Sequence, residues 1–160
     1  MLSLVHTSES WGENMKKIIL TGHGEISTGI KGSLELLAGQ NEDVMAIDFT
    51  RDMSDSDLAA KLQDVISSFP DTPFLFVCDI LGGTPYKEAA KIANDNHHME
   101  VVAGCNLGAI LEASLMKDTM ELSDLANFIV DQTKNFAAKF EKVNTQAARE
   151  DIEEDFSDGI

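Results

Sequence analysis

Short apolar runs alternate along this chain with longer segments whose apolar residues recur at the spacing of a helix face. The short runs predict four strands, at Lys16 to Thr21, Val44 to Phe49, Phe74 to Cys78 and Val101 to Gly104. Strands that are apolar on both faces are typical of a parallel sheet with helices on either side. The pattern therefore predicts an α/β fold with a doubly wound, mainly parallel sheet and helices on both faces.

The first predicted helix spans about 27–38 and follows the first strand. Ser27 or Thr28 is expected to cap it, and Gly39 is expected to end it. The residues expected on its inner face are Ile30, Leu34 and Leu37.

Four further helices are predicted from the same spacing. One begins near Ser54, where Ser-Asp-Ser-Asp resembles a capping box, and another begins with Thr84 as cap and Pro85 in its first turn. A fourth spans 107–116. The fifth is expected to be long, because its apolar stripe recurs over 122–140.

The two ends of the chain differ in composition from the part between them. Residues 1–14 are mixed and polar, and residues 144–160 contain six acids between Glu150 and Asp158. Neither end has a patterned apolar face that offsets the entropy of ordering it. We expect a disordered leader at 1–14, one domain at 15–143 and a disordered acidic tail at 144–160.

Composition excludes several functions. The formal net charge of -16 opposes binding to nucleic acid or to an anionic membrane, so a partner surface should be basic or apolar. No apolar run is long enough to span a bilayer and no secretory signal is recognisable, which predicts a cytoplasmic protein. Neither the two cysteines nor His6, His97 and His98 have metal-ligand spacing, so we expect no metal and no cofactor.

Two glycine-flanked loops directly follow predicted strands. One spans Thr21 to Gly24 after the first strand, and the other spans Asp79 to Pro85 after the third. In a parallel sheet both loops lie at the carboxyl edge, and each leads into a helix whose N-terminal N–H groups favour an anion. The residues expected to hold a phosphate are Gly24, Gly82, Gly83 and Thr84.

His23 is the candidate acceptor of a phosphoryl group. A histidine accepts phosphate when one ring nitrogen is held as N–H and the other presents its lone pair to the donor. Asp79 is expected to hold the ring in this way and to stabilise the cationic form that exists while phosphate is attached. His23 and Asp79 are therefore the predicted catalytic residues.

Each of these residues also has an ordinary structural interpretation. His23 can be a turn histidine that bonds a local carbonyl, Asp79 a polar strand end, and Gly82-Gly83 a strand-to-helix turn that needs positive φ. Cys78 is interpreted as a buried core thiol, since nothing nearby is basic enough to lower its pKa. Taken one at a time, the residues leave these alternatives open.

Taken together, the motifs resemble a known family. Ile-Leu-Thr-Gly-His23-Gly, Ala46-Ile-Asp-Phe49 and Asp79-Ile-Leu-Gly-Gly-Thr-Pro85 are similar to the mannose-family IIA proteins of the bacterial sugar phosphotransferase system (PTS). The resemblance covers residues 15 to about 142. Within the family the chain most resembles the IIA proteins of N-acetylgalactosamine and related amino-sugar systems, including the acidic ending in Asp-Gly-Ile.

The resemblance implies a specific role. His23 would take phosphate from the phosphocarrier HPr and pass it to a separate IIB protein, which phosphorylates the sugar entering through membrane IIC and IID components. Asp79 takes the family's histidine-orienting position, and Thr84 takes the hydroxyl position beside the phosphate.

The resemblance also implies an architecture. The sheet would have strand order 2-1-3-4, with an added antiparallel strand exchanged between the two copies of a homodimer. No such strand is identified between Met116 and Leu122. The long apolar stripe of the fifth helix is a second reason to expect a homodimer.

Two other functions remain open from the sequence. One is a phosphohistidine donor to a kinase or a regulator in place of a IIB protein. The other is a noncovalent anion-binding or nucleotide-binding module of flavodoxin-like form, in which His23 only contacts the ligand. The chain lacks G-x-G-x-x-G and G-x-x-x-x-G-K-[ST], which argues against the usual nucleotide cradles.

Overall fold

The structure, a computed structural model, describes residues 15–146 and contains an alternating series of strands and helices. The strands are β1 (Lys17–His23), β2 (Val44–Phe49), β3 (Phe74–Cys78) and β4 (Met99–Ala103). The helices are α1 (Ile26–Ala38), α2 (Asp55–Ser68), α3 (Thr84–Ala93), α4 (Leu107–Met116) and α5 (Leu122–Phe136). The predicted leader, and the predicted tail beyond residue 146, lie outside the described residues.

The strands form one parallel sheet in the order β2-β1-β3-β4. Every residue of β3 is buried, as expected for a strand covered on both faces. The predicted fold class and strand order are confirmed. Since the connection after β2 crosses β1 to reach β3, the carboxyl ends of β1 and β3 lie side by side at a topological switch point.

Helices cover both faces of the sheet and create two apolar cores. Ile18 and Leu20 of β1 belong to the core formed with α1, α4 and α5, whereas Ile19 between them belongs to the core formed with α2 and α3. Alternate residues of a strand point to opposite faces, so one short apolar run supplies both cores.

Helix boundaries agree with the sequence in some places and not in others. Ser54 and Asp57 form the predicted capping box of α2. The predicted cap of α1 is wrong: the helix begins at Ile26, and Ser27 and Thr28 lie inside its first turn. Leu37 was expected on the inner face but is exposed, as are Leu36 and Ala38 beside it at the end of α1.

The later helices show two further differences. The N-cap of α3 is Gly83, so Thr84 is the first helical residue and not the cap. The helix α5 ends at Phe136, because the backbone becomes extended at Ala137, and Phe140 is exposed rather than part of an apolar face. Within residues 15–146 the sheet has four strands, and no added antiparallel strand is present.

A paired cluster of charges joins the amino ends of β1 and β2, at the opposite edge from the two glycine-containing loops. The buried Lys117 ammonium lies 2.9 Å from Asp43 and 2.5 Å from Asp118, and Lys17 lies 2.7 Å from Asp43. Burial raises the pKa of Asp43, but hydrogen bonds from Lys17 and Lys117 outweigh burial and hold it below its ordinary value. This cluster is a structural tie between strands.

Candidate functional site

The structure brings His23 and Asp79 into direct contact at the carboxyl edge of the sheet. Thr21 of β1 and Cys78 of β3 are Cα partners, so the residues that follow them extend beyond the same edge. The Asp79 Oδ2 atom accepts a hydrogen bond from the His23 backbone N–H at 2.9 Å and lies 2.8 Å from ring Nδ1. One carboxylate oxygen therefore contacts both the backbone and the ring of His23.

The Asp79 carboxylate is held by several donors. Its second oxygen, Oδ1, accepts the Ile80 N–H at 2.8 Å. Burial raises the pKa of Asp79, but hydrogen bonds from the His23 N–H, from the His23 ring and from the Ile80 N–H outweigh burial, and the pKa lies below its ordinary value. Because an ionised carboxylate only accepts hydrogen bonds, Nδ1 must be the protonated nitrogen of a neutral ring and Nε2 keeps its lone pair.

The ring of His23 is fixed on two sides and open to solvent. Its side chain is 44% exposed, whereas that of Asp79 is 8% exposed. The rings of Phe49 and His23 form a T-shaped pair, with centroids 5.6 Å apart. A Cβ atom at Gly83 would lie 2.9 Å from His23 Cε1, the carbon between the two ring nitrogens. The ring therefore stands against the start of α3, and only glycine leaves room for it there.

The start of α3 offers hydrogen-bond donors beside the ring. Gly83, the N-cap, has no side chain to cap the helix, and within residues 15–146 the N–H groups of Gly82 and Thr84 have no hydrogen-bond partner. Gly82 has a φ of 78°, which favours glycine. The Gly83 N–H donates to Ile80 O at 3.1 Å. Two of the four residues predicted to hold phosphate thus present free N–H groups.

The start of α1 differs from the start of α3. The Gly24 N–H donates to Phe49 O at 2.8 Å, so the amide of this predicted phosphate ligand is already occupied. The Thr28 N–H donates to the carboxylate of Asp48 at 3.1 Å. The sequence pattern predicts two equivalent anion sites. In the structure only the start of α3 has free N–H groups beside His23, within residues 15–146.

Sequence reasoning missed the role of Gly22, which lies within β1. A Cβ atom there would be 2.5 Å from Ile26 Cγ2 and 2.8 Å from Asp79 Cγ. The missing side chain leaves the space beside β1 that the Asp79 carboxylate occupies when it bonds His23. A glycine inside a strand often marks such a close approach. The predicted strand ends at Thr21, which places Gly22 in the loop, whereas β1 extends to His23.

The remaining reactive side chains lie away from this chemistry. Cys78 is a buried core residue, as predicted. Burial, and then the neighbouring Asp79 and Cys105, raise the pKa of its thiol to about 12, which disfavours the nucleophilic thiolate. His97 and His98 are exposed beside the amino end of β4, and His6 lies outside the described residues. Within residues 15–146 no group of three His, Cys, Asp or Glu residues is placed to bind a metal. No helix in this part of the chain is long and apolar enough to cross a membrane.

Known proteins resemble this chain over most of its length. Residues 17–130 match the EIIA-man family model, described as "PTS system fructose IIA component". The fructose-specific EIIA component of Bacillus subtilis is 30% identical over 146 residues, which cover 88% of this chain and 99% of that protein. The sorbose-specific EIIA component of Lacticaseibacillus casei is 27% identical over 135 residues, which cover 84% of this chain and 98% of that protein.

Solved structures share the fold. A phosphotransferase system component EIIA from Streptococcus agalactiae superposes with a TM-score of 0.73 at 32% identity, covering 79% of this chain and 98% of that one. The mannose/sorbose-specific IIA subunit from Enterococcus faecalis superposes with a TM-score of 0.74 at 25% identity, covering 81% of this chain and 98% of that one.

We predict that Gly22→Ala destabilises the protein by about 1–3 kcal/mol, because the new methyl overlaps Ile26 and a carboxyl group already fixed by its own hydrogen bonds. Gly32→Ala on α1 is the matched control. A Cβ there meets nothing within 4 Å, so its effect should be neutral or stabilising by up to about 1 kcal/mol. Chemical denaturation measures both, and equal stabilities of the two variants would contradict the crowding at Gly22.

We predict that the Asp79 carboxyl titrates below the ordinary aspartate pKa of about 3.9. The stabilisation from its hydrogen bonds is then complete above the pKa of the unfolded state and is lost as pH falls through the lower folded-state pKa. Carbon-13 NMR of the carboxyl group measures the midpoint in the wild type and in His23→Ala, where the loss of the ring donor should raise it. A wild-type midpoint at or above the ordinary value would show that the hydrogen bonds do not outweigh burial.

Proposed function

The chain belongs to the mannose family of IIA components of the phosphotransferase system, which relay phosphoryl groups during sugar uptake, and we propose that His23 is the residue that carries the group. In this proposal His23 receives it from HPr and donates it to a separate IIB protein. The observation that carries the proposal is the contact between the Asp79 carboxylate and ring Nδ1. This contact leaves Nε2 free, on an exposed ring that lies beside the open start of α3.

The proposed transfer is a displacement at phosphorus. The Nε2 lone pair attacks the phosphoryl group, a new N–P bond forms, and the N–P bond to the donor histidine breaks with its electron pair remaining on that histidine. His23 keeps its Nδ1 proton throughout, so the phosphorylated ring is cationic. The adjacent Asp79 carboxylate stabilises that charge and holds the ring in place, as in other aspartate-oriented histidines. Donation to IIB is the same step in reverse.

The open start of α3 is proposed to stabilise the transferring group. The free N–H groups of Gly82 and Thr84, with the positive end of the helix dipole, face negative charge on the phosphoryl oxygens, and the Thr84 hydroxyl is a further donor. Gly83 contributes space beside the ring rather than an N–H group. Gly24 contributes neither, because its amide is bonded to Phe49, and its φ of 63° only sets the turn after His23. A carrier must also release its cargo, which is consistent with a half-exposed ring and few donors.

An exposed apolar rim at the site is the proposed contact for both protein partners. It consists of Ile26, Ile80 and Leu81, which are exposed beside His23 and Asp79, and the Leu81 residue is 75% exposed. Large exposed apolar side chains grouped at a reactive residue favour transient protein contacts. The net charge of -16 favours partners with a basic surface, as expected from the sequence.

The transported sugar is a separate proposal. The sequence resemblance favours an amino sugar such as N-acetylgalactosamine, whereas proteins similar to this chain are named for fructose, sorbose and mannose. The proposed site contacts only proteins and a phosphoryl group, so the choice of sugar rests with the IIB, IIC and IID partners. The proposed place of action is the cytoplasm, where HPr is found.

A homodimer is also proposed. Within the described residues β4 is an edge strand that pairs only with β3, and the segment 137–143 that follows α5 is exposed and carries neither helix nor strand. Phe140 and Val143 in this segment are exposed apolar residues. A strand exchanged between two copies would cover an open sheet edge of the kind that proteins avoid leaving bare.

We predict that enzyme I, HPr and labelled phosphoenolpyruvate phosphorylate the wild type at His23, giving an acid-labile and base-stable phosphoprotein. His23→Ala should abolish labelling because the acceptor nitrogen is gone, whereas His97→Ala and His98→Ala are matched controls that should label fully. Chase with IIB proteins from amino-sugar and fructose systems tests the partner and the sugar class.

Two results of this assay would contradict the proposal. Label that persists in His23→Ala would place the phosphate elsewhere. A wild type that never labels with a competent HPr would favour the noncovalent anion-binding module, and transfer to a kinase or regulator in place of IIB would favour the other alternative.

We predict that sedimentation equilibrium at micromolar concentration gives twice the chain mass of 17.4 kDa. Deletion of 137–160 should shift the protein toward monomer, because it removes the segment proposed to cover β4. A monomeric wild type would contradict the homodimer, and a dimeric deletion variant would contradict the role of this segment.

A further inference from the structure

Asp48, at the carboxyl end of β2, caps α1 from a neighbouring strand. Its Oδ1 atom accepts the Thr28 N–H at 3.1 Å, and its Oδ2 atom accepts the Thr28 hydroxyl at 2.7 Å. Thr28 is the third residue of α1, and the N-cap Glu25 makes no capping bond with its own side chain. The helix that follows His23 is therefore capped by a residue outside its own sequence.

The cap on Thr28 is one of two hydrogen-bonded contacts between β2 and the segment that follows His23. Gly22 and His23 of β1 are the Cα partners of Asp48 and Phe49, and the Gly24 N–H donates to Phe49 O. Beyond Gly24, the next contact is the Asp48 carboxylate on Thr28. Hydrogen bonds to β2 therefore hold the connection between β1 and α1 at both ends, at Gly24 and at Thr28.

The charge of Asp48 also distinguishes the two helix starts beside His23. A carboxylate occupies the positive end of α1, whereas α3 has no acidic residue in its first turn and no capping side chain. A phosphoryl group on His23 carries negative charge, so it is opposed at the start of α1 and favoured at the start of α3.

We propose that Asp48 is a positioning residue for phosphoryl transfer. It fixes the His23 loop against β2, and its charge keeps the phosphoryl group on the α3 side of the ring and prevents over-tight binding. The inference rests on the proposed function of His23. It predicts that loss of this charge stabilises the phosphorylated protein, which is the opposite of what the loss of a purely structural residue would do.

The test is the equilibrium of phosphoryl exchange with HPr. Asp48→Asn keeps one acceptor oxygen for the Thr28 N–H and removes the charge, so the ratio of phosphorylated protein to phosphorylated HPr should rise about two- to five-fold. Transfer onward to IIB should slow by a similar factor. Asp64→Asn is the matched control, because it makes the same charge change on an exposed residue in the second half of α2, away from the site.

A ratio in Asp48→Asn that is unchanged or lower would overturn the inference, as would an equal rise in Asp64→Asn. Amide exchange of the unphosphorylated protein tests the cap separately. Exchange of the Thr28 N–H should accelerate about five-fold in Asp48→Ala and not in Asp64→Asn, and equal rates would overturn the cap. A wild type that HPr cannot phosphorylate would instead contradict the proposed function, and the exchange result would still stand.

Discussion

The hydrogen-bonded contact between the Asp79 carboxylate and His23 is the interaction on which the proposed chemistry depends. It joins residues on two strands that are far apart in the chain, and one oxygen accepts the backbone N–H while facing ring Nδ1. It requires β1 and β3 to be neighbours, which the strand order β2-β1-β3-β4 provides. It also requires Gly22, because any side chain there would occupy the path of the carboxylate. The sheet topology and one glycine thus set the geometry of the proposed chemistry.

Around this contact the two helix starts have different electrostatic roles. At the start of α1, the Asp48 carboxylate of β2 accepts the Thr28 N–H, and the Gly24 N–H donates to Phe49 O. The start of α3 presents free N–H groups at Gly82 and Thr84. A carrier needs enough stabilisation to accept a phosphoryl group and too little to retain it. One open helix start and one closed one provide such a balance in the proposed mechanism.

Much of this architecture could be predicted from the sequence, because it depends on patterns of neighbouring residues. Continuous apolar runs indicated the parallel strands, and Ser54 with Asp57 indicated a capping box. Long-range contacts were not predictable in this way. Asp48 on another strand caps α1. The local sequence suggested Ser27 or Thr28 instead, and both lie inside the helix. The motif His23-Gly24 likewise gave no sign that the glycine amide is bonded to Phe49, since that bond depends on strand register.

In the proposed mechanism Asp79 holds Nδ1 protonated, so that Nε2 of His23 takes the phosphoryl group. Nitrogen-15 and phosphorus-31 NMR of histidine-labelled protein, before and after phosphorylation through HPr, tests it most directly. We expect a free ring with its proton on Nδ1 and a phosphorylated ring with nitrogen–phosphorus coupling at Nε2. Coupling at Nδ1, or a free ring with the proton on Nε2, would contradict it.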